Sequence, residues 1–139
     1  MIKIAIPPVD ILYRAWGEIE PFMQKAIDES NAELDLDAIK KKIDNRELLI
    51  ATIFKDKNLI AAVSFEVTNF ESGKRVLHIN LAGGNHMDLW YADIDELATQ
   101  LAKKQNCSEV YIVGRKGWER QLKHRGYKHV HTIISREVK

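Results

Sequence analysis

One cysteine, three prolines and no apolar run long enough to cross a bilayer set the first limits on this 139-residue chain. A spanning helix needs about 20 consecutive apolar residues, and the opening run Met1–Ile6 is cut short by Pro7 and Pro8. No secretion leader or membrane span is therefore expected, and the chain should stay in the cytoplasm where it is made. Cys107, being alone, excludes an intramolecular disulfide and fits a reducing compartment; at the mouth of a strand it reads as a small packing residue rather than a nucleophile. There is no internal repeat, no low-complexity stretch and no Pro- or Ser-rich linker. A large excess of charge is missing too: the net charge is +1.

What is present is the composition of one folded domain, residues 1–139, with 45% hydrophobic and 29% charged residues. The charge is uneven. Residues 101–139 hold ten Lys and Arg against three acids, a balance of +7, which leaves −6 for the first hundred. Solvated helix faces that balance in the fold explain this; so does a C-terminal half that faces an anion, such as a phosphate-bearing cofactor or an acidic protein. Nucleic acid is disfavoured as a partner, because Trp118 and Tyr127 do not form an interleaved stacking series.

Along the chain, Asp10 is a candidate N-cap for a helix carrying Ile11, Leu12, Ala15, Trp16 and Ile19, with a kink or restart expected at Glu20–Pro21. Asp35–Ile43 has acids first and lysines later, the order that suits a helix dipole. Leu48–Phe54 and Leu59–Phe70 read as a hairpin around Lys55–Asn58, and Arg75–Leu81 as a third strand after the turn Glu71–Lys74. A strongly periodic helix bears Ile94, Leu97, Ala98, Leu101 and Ala102. Ser108–Val113 is a short apolar strand, Trp118–His124 a short helix stopped by Gly126, and Tyr127–Val138 a final strand.

The order of these elements, the stretch Leu101–Ile112 and the ending His124-Arg125-Gly126-Tyr127 resemble the GNAT superfamily of N-acyltransferases over the whole chain. The resemblance implies an α/β (α+β) fold: a central, mostly antiparallel mixed sheet of about six strands flanked by about four helices. The stretch Gly114-Arg115-Lys116-Gly117-Trp118 also resembles small GNAT-like proteins of tailed bacteriophages, some of them virion-associated. That implies a protein partner, phage structural proteins in particular, and a host-cytoplasm or virion location.

In the family, an Arg/Gln-x-x-Gly-x-Gly/Ala loop at the start of the long helix holds the pyrophosphate of acyl-CoA on open backbone amides. Counting back from Cys107, the matching positions are His86, Met87, Asp88, Leu89, Trp90 and Tyr91, with no glycine and an added carboxylate. Gly83 and Gly84 could serve only if the register slipped, and they stand too far ahead of the helix to cap it directly. The family's general acid, a tyrosine four residues before the Gly-aromatic pair, falls on Leu122, with Tyr127 and Tyr111 near in sequence. The family's base is commonly a glutamate or a water-relaying group on the middle strands, which makes Glu66 and His78 the candidates; alternatively both are solvent-facing strand residues. Acetyl-CoA is the cofactor if the chain is active, and no cofactor is expected if the filled loop has ended that chemistry.

Gly114, Arg115, Lys116 and Gly117 combine flexible backbone with two cations ahead of a helix and form a candidate anion site; the alternative is an ordinary strand-to-helix turn with solvated cations. It is no P-loop, which needs a longer spacing and a closing Lys-Ser/Thr. His124, His129 and His131 have no cysteine or carboxylate at ligand spacing, so no metal is expected.

Overall fold

The structure is a computed structural model that describes residues 1–30, 33–113 and 116–138. Five strands form one sheet: β1 (Ile2–Ala5), β2 (Leu48–Lys55), β3 (Asn58–Asn69), β4 (Arg75–Gly84) and β5 (Glu109–Ile112), in the spatial order β1-β2-β3-β4-β5. The first four run antiparallel, and β5 joins β4 in parallel through the long helix α4 (Met87–Lys104). A parallel pair needs such a crossover, whereas β2 and β3 need only Asp56 and Lys57, with Asp56 in the left-handed region (φ 58°) that a short hairpin turn requires.

Strand alternation divides the core in two. On one face Leu48, Ile50, Ala62 and Leu81 pack under α1 (Val9–Arg14), α2 (Trp16–Asp28) and α3 (Leu36–Asp44), which contribute Leu12, Ile19, Met23, Ile39 and Ile43. On the other face Ile53, Val63, Phe65 and Ile79 meet Trp90, Ile94 and Ala98 of α4. Each such fully buried side chain stabilises the fold by about 2 kcal/mol.

The phase of β4 changes once along its length. Val63 pairs with Ala82 and Phe65 with Ile79, so Ser64 stands opposite two residues, Asn80 and Leu81. This is a β-bulge, and the fully buried Ser64 bridges it by accepting the Leu81 N–H on its hydroxyl at 3.0 Å. Before the bulge Leu77 and Ile79 face α4; after it Leu81 faces α2.

Several expectations are corrected. Asp35 caps α3 through the Ala38 N–H, but Asp10 lies in the first turn of α1, behind Pro8. The first helix breaks at Ala15, not at Pro21, which sits inside α2. At the sixth position of α2, Pro21 lies beyond the four unpartnered donors of the helix start, so the helix runs on through it at the cost of one intrahelical hydrogen bond. Among the described residues the sheet has five strands, close to the expected number, and the expected final strand Tyr127–Val138 is not formed. β-branched composition supplies a strand tendency, but a strand exists only by pairing, and no described residue makes a backbone hydrogen bond to 127–138. After β5 comes α5 (Lys116–Leu122), followed by a 3-10 turn at Lys123–Arg125.

Candidate functional site

A cavity of about 460 Å³ opens where β4 and β5 part company. Their ladder ends at Ile79↔Ile112, and among the described residues no strand lies beside residues 80–84 of β4 on that side. Ile112, Val113 and Trp118 wall the cavity on the β5 side, and Leu34 and Lys42 on the helix side. Glu66 and His78 both line it, because they are cross-strand partners on β3 and β4. Neither is a free solvent-facing residue.

Glu66 is largely buried and fully engaged: its Oε1 accepts Lys42 Nζ at 2.6 Å and its Oε2 accepts Asn80 Nδ2 at 2.8 Å. Asn80 reaches this face by alternation with His78, and the bulge brings Leu81 to the same side. His78 is half-buried, with Nδ1 3.5 Å from Thr68 Oγ1, its ring edge-on to Tyr111, and a buried Nε2 without a partner among the described residues. Burial pushes its imidazole below the ordinary 6.5, opposed by the Glu66 carboxylate, so the ring is neutral at pH 7. A neutral imidazole with an unengaged nitrogen can take a proton, whereas Glu66 can do so only by giving up Lys42 or Asn80.

At the far end of β4 the chain turns sharply. Only Asn85 and His86 separate Gly84 from α4, so the glycine pair lies much closer to the helix than the sequence count implied. The pair is nevertheless filled by packing. A Cβ at Gly83 would stand 1.9 Å from the Phe22 carbonyl oxygen, and one at Gly84 would stand 2.3 Å from the Ala61 Cβ. Gly84 also has φ 149°, a conformation side chains rarely adopt. The remaining positions matched to the phosphate loop are helix: His86 caps α4 in the left-handed conformation, Asp88 lies in its first turn, and the buried Trp90 donates its indole N–H to the Asn85 carbonyl at 2.8 Å. An anion arriving here meets a carboxylate where the helix dipole would otherwise attract it.

Tyr127 is not brought to Glu66 and His78. Its hydroxyl donates to Asp95 Oδ1 at 2.5 Å, beside Arg125 Nε on Oδ2 at 2.5 Å, and burial with that carboxylate neighbour raises its pKa far above the usual 10. Leu122, at the position of the family's acid, is buried. The Gly114–Gly117 anion candidate falls outside the described residues at Gly114 and Arg115 and, for its side chains, at Lys116 and Gly117. His129 meets Thr132 Oγ1, and the described residues contain no cluster fit for a metal.

Three functional partners escaped the sequence reading: Lys42, Asn80 and Asp95. Asn80 had a faint signal, two residues from His78 on an alternating strand. Lys42 is one of three consecutive lysines, and nothing in sequence singles it out as the one that reaches Glu66.

No protein-family model and no curated protein matches the sequence. Solved structures do match. A predicted acetyltransferase of Clostridium acetobutylicum, solved with acetyl-CoA, superposes with a TM-score of 0.72 at 14% identity, over 99% of this chain and 96% of that one. A ribosomal-protein-alanine N-acetyltransferase of Brucella melitensis biovar Abortus gives 0.66 at 17%, over 100% and 99%. Glucosamine-6-phosphate N-acetyltransferase of Arabidopsis thaliana gives 0.67 at 10%, again over 100% and 99%. At such identities the likeness establishes architecture alone: an α/β chain with a five-stranded mixed sheet and the fold of the GNAT acetyltransferases.

Proposed function

We propose that this chain is a GNAT-fold protein that acts by binding and no longer transfers an acyl group. The observation that carries the reading is the β4–α4 corner. Gly83 and Gly84 are pressed against Phe22 and Ala61, Trp90 holds the Asn85 carbonyl, and Asp88 occupies the first turn of α4. A pyrophosphate needs open amides and a positive field at that corner, and Leu122 removes the hydroxyl of the family's acid position. The resemblance at Gly114–Trp118 supports a phage accessory or virion-associated setting, with phage structural proteins as partners. Calorimetric titration with acetyl-CoA is expected to give no saturable heat; a micromolar Kd would overturn the reading.

A second reading, divergent acetyl-CoA-dependent N-acetylation, is favoured by the cavity. The unpaired edge of β4 offers N–H and C=O groups to an amide-bearing ligand such as the pantetheine arm of CoA, and His78 supplies a neutral base beside it. Under this reading CoA is released with an amine acceptor, and His78→Ala lowers that rate about a hundredfold or more, the usual range for loss of a general base. Absence of CoA release across a broad amine panel removes it.

A further inference from the structure

The chain beyond β5 is held by few contacts. From residue 116 to residue 138, Leu122 is the only buried side chain among the described residues, Trp118 and Tyr127 are partly buried, and the other described side chains are exposed. A segment with so little buried apolar surface is placed by a few specific contacts rather than by a broad packed face.

Two of those contacts fall on α4. At one end, Trp118 of α5 packs against Trp90, with ring centroids 6.4 Å apart and planes inclined at 60°. The Trp90 ring is itself fixed, since it is buried and donates its N–H to the Asn85 carbonyl. At the other end, Asp95 accepts Arg125 Nε on one carboxylate oxygen and the Tyr127 hydroxyl on the other. A mostly buried carboxylate is costly unless its oxygens are met, and here both partners come from the same short stretch of chain. Trp90 and Asp95 stand on one helix, separated by a rise of about 7.5 Å. The segment from Trp118 to Tyr127 is thus pinned to a single rigid element at both of its ends.

Trp118 has a second neighbour, because its ring also walls the cavity that Glu66 and His78 line. We propose that Asp95 is a positioning residue for this cavity: by holding Arg125 and Tyr127 it holds α5, and by holding α5 it seats the Trp118 ring in the wall. Asp95 is not among the residues that line the cavity and acts only through this connection. Without the carboxylate, Leu122 and the Trp118–Trp90 contact are what remains to the segment among the described residues, the ring leaves its seat, and the cavity widens on the β5 side. The size of ligand admitted is then set by a residue outside the cavity. This deepens the account of the cavity and holds whether its occupant is a bound partner or an amine acceptor.

The full chain labelled with fluorotryptophan gives one fluorine resonance for each of Trp16, Trp90 and Trp118, assigned with Trp16→Phe and Trp118→Phe. Asp95→Asn is expected to shift the Trp118 resonance and to enlarge its displacement between light and heavy water toward that of an exposed indole, while the Trp16 resonance stays in place. Tyr127→Phe removes one of the two hydrogen bonds and should give a smaller shift in the same direction; where Asp95→Asn does not fold, this variant decides alone. A Trp118 resonance that stays put in every folded variant, or one that moves only together with that of Trp16, would overturn the proposal. Neither ligand nor acetyl-CoA enters the experiment, so its failure and that of the calorimetric titration are read separately.

Discussion

The cavity at His78 and the corner at Gly84 lie on the same strand, β4, a few residues apart, and they have been built to opposite ends. In the cavity, polar groups are buried and kept: Glu66 with two partners, His78 neutral with one nitrogen unengaged, and β4 with an open edge. At the corner, backbone is packed against backbone, and the space next to both glycines is taken. One strand can therefore carry an open polar edge at one place and close-packed backbone a few residues on. The two places are stabilised by different contacts.

The comparison breaks most sharply at Gly83. Gly83→Ala is expected to cost about 4 kcal/mol or more, because its Cβ would meet the fixed carbonyl of Phe22 rather than a side chain that can turn away. Denaturant titration measures this, and a loss below about 1 kcal/mol would show spare room at the corner and remove the contrast. Next in size is Lys42→Ala, expected to cost about 2 kcal/mol because it strands the mostly buried Glu66 carboxylate. Lys42→Ala together with Glu66→Gln should recover part of that loss.

The third effect is a pH dependence. His78 in the folded chain titrates below 6.5, so the unfolded chain takes up the proton first as the pH falls. Stability contributed by the neutral ring is intact above about pH 6.5 and declines below it. Urea midpoints between about pH 7.5 and about pH 5 should show this decline, and His78→Leu should reduce it. The smallest effect is that of Asp88→Asn, about 0.5 kcal/mol, since a carboxylate in the first turn of a helix is mildly favourable. Its use is as a probe: if this change alone let acetyl-CoA bind, charge rather than packing would be what closes the corner.

Local signals located most of the fold. The lysine-ended helices, the hairpin at Asp56 and the alternating strands are each decided by residues close in sequence, and they stand where periodicity placed them. The terminal strand was misread because composition reports a tendency to extend, whereas pairing depends on a partner surface elsewhere. Glu66 and His78 could be named as candidates from the resemblance, but that they face each other depends on the register of β3 against β4. The contacts of Lys42 and Asp95 arise from helix packing across tens of residues and leave no mark in the local pattern. The glycines at 83 and 84 were legible as unusual, but their contacts with Phe22 and Ala61 were not, since a glycine admits close approach equally to a ligand and to the protein's own backbone.

The extra residue in β4 opposite Ser64 works as a reading frame for the strand. Deleting Asn80 or Leu81 would restore strict alternation and leave Ala82 onward on the faces they already hold, because the deletion removes only the residue that the bulge adds. Loss of Asn80 would take a neighbour from the Glu66 carboxylate, and loss of Leu81 would take a buried side chain from the core under α2. The bulge is thus the one place in this strand where a single-residue deletion spares the two faces, whereas a deletion elsewhere would exchange them for every residue between it and the turn.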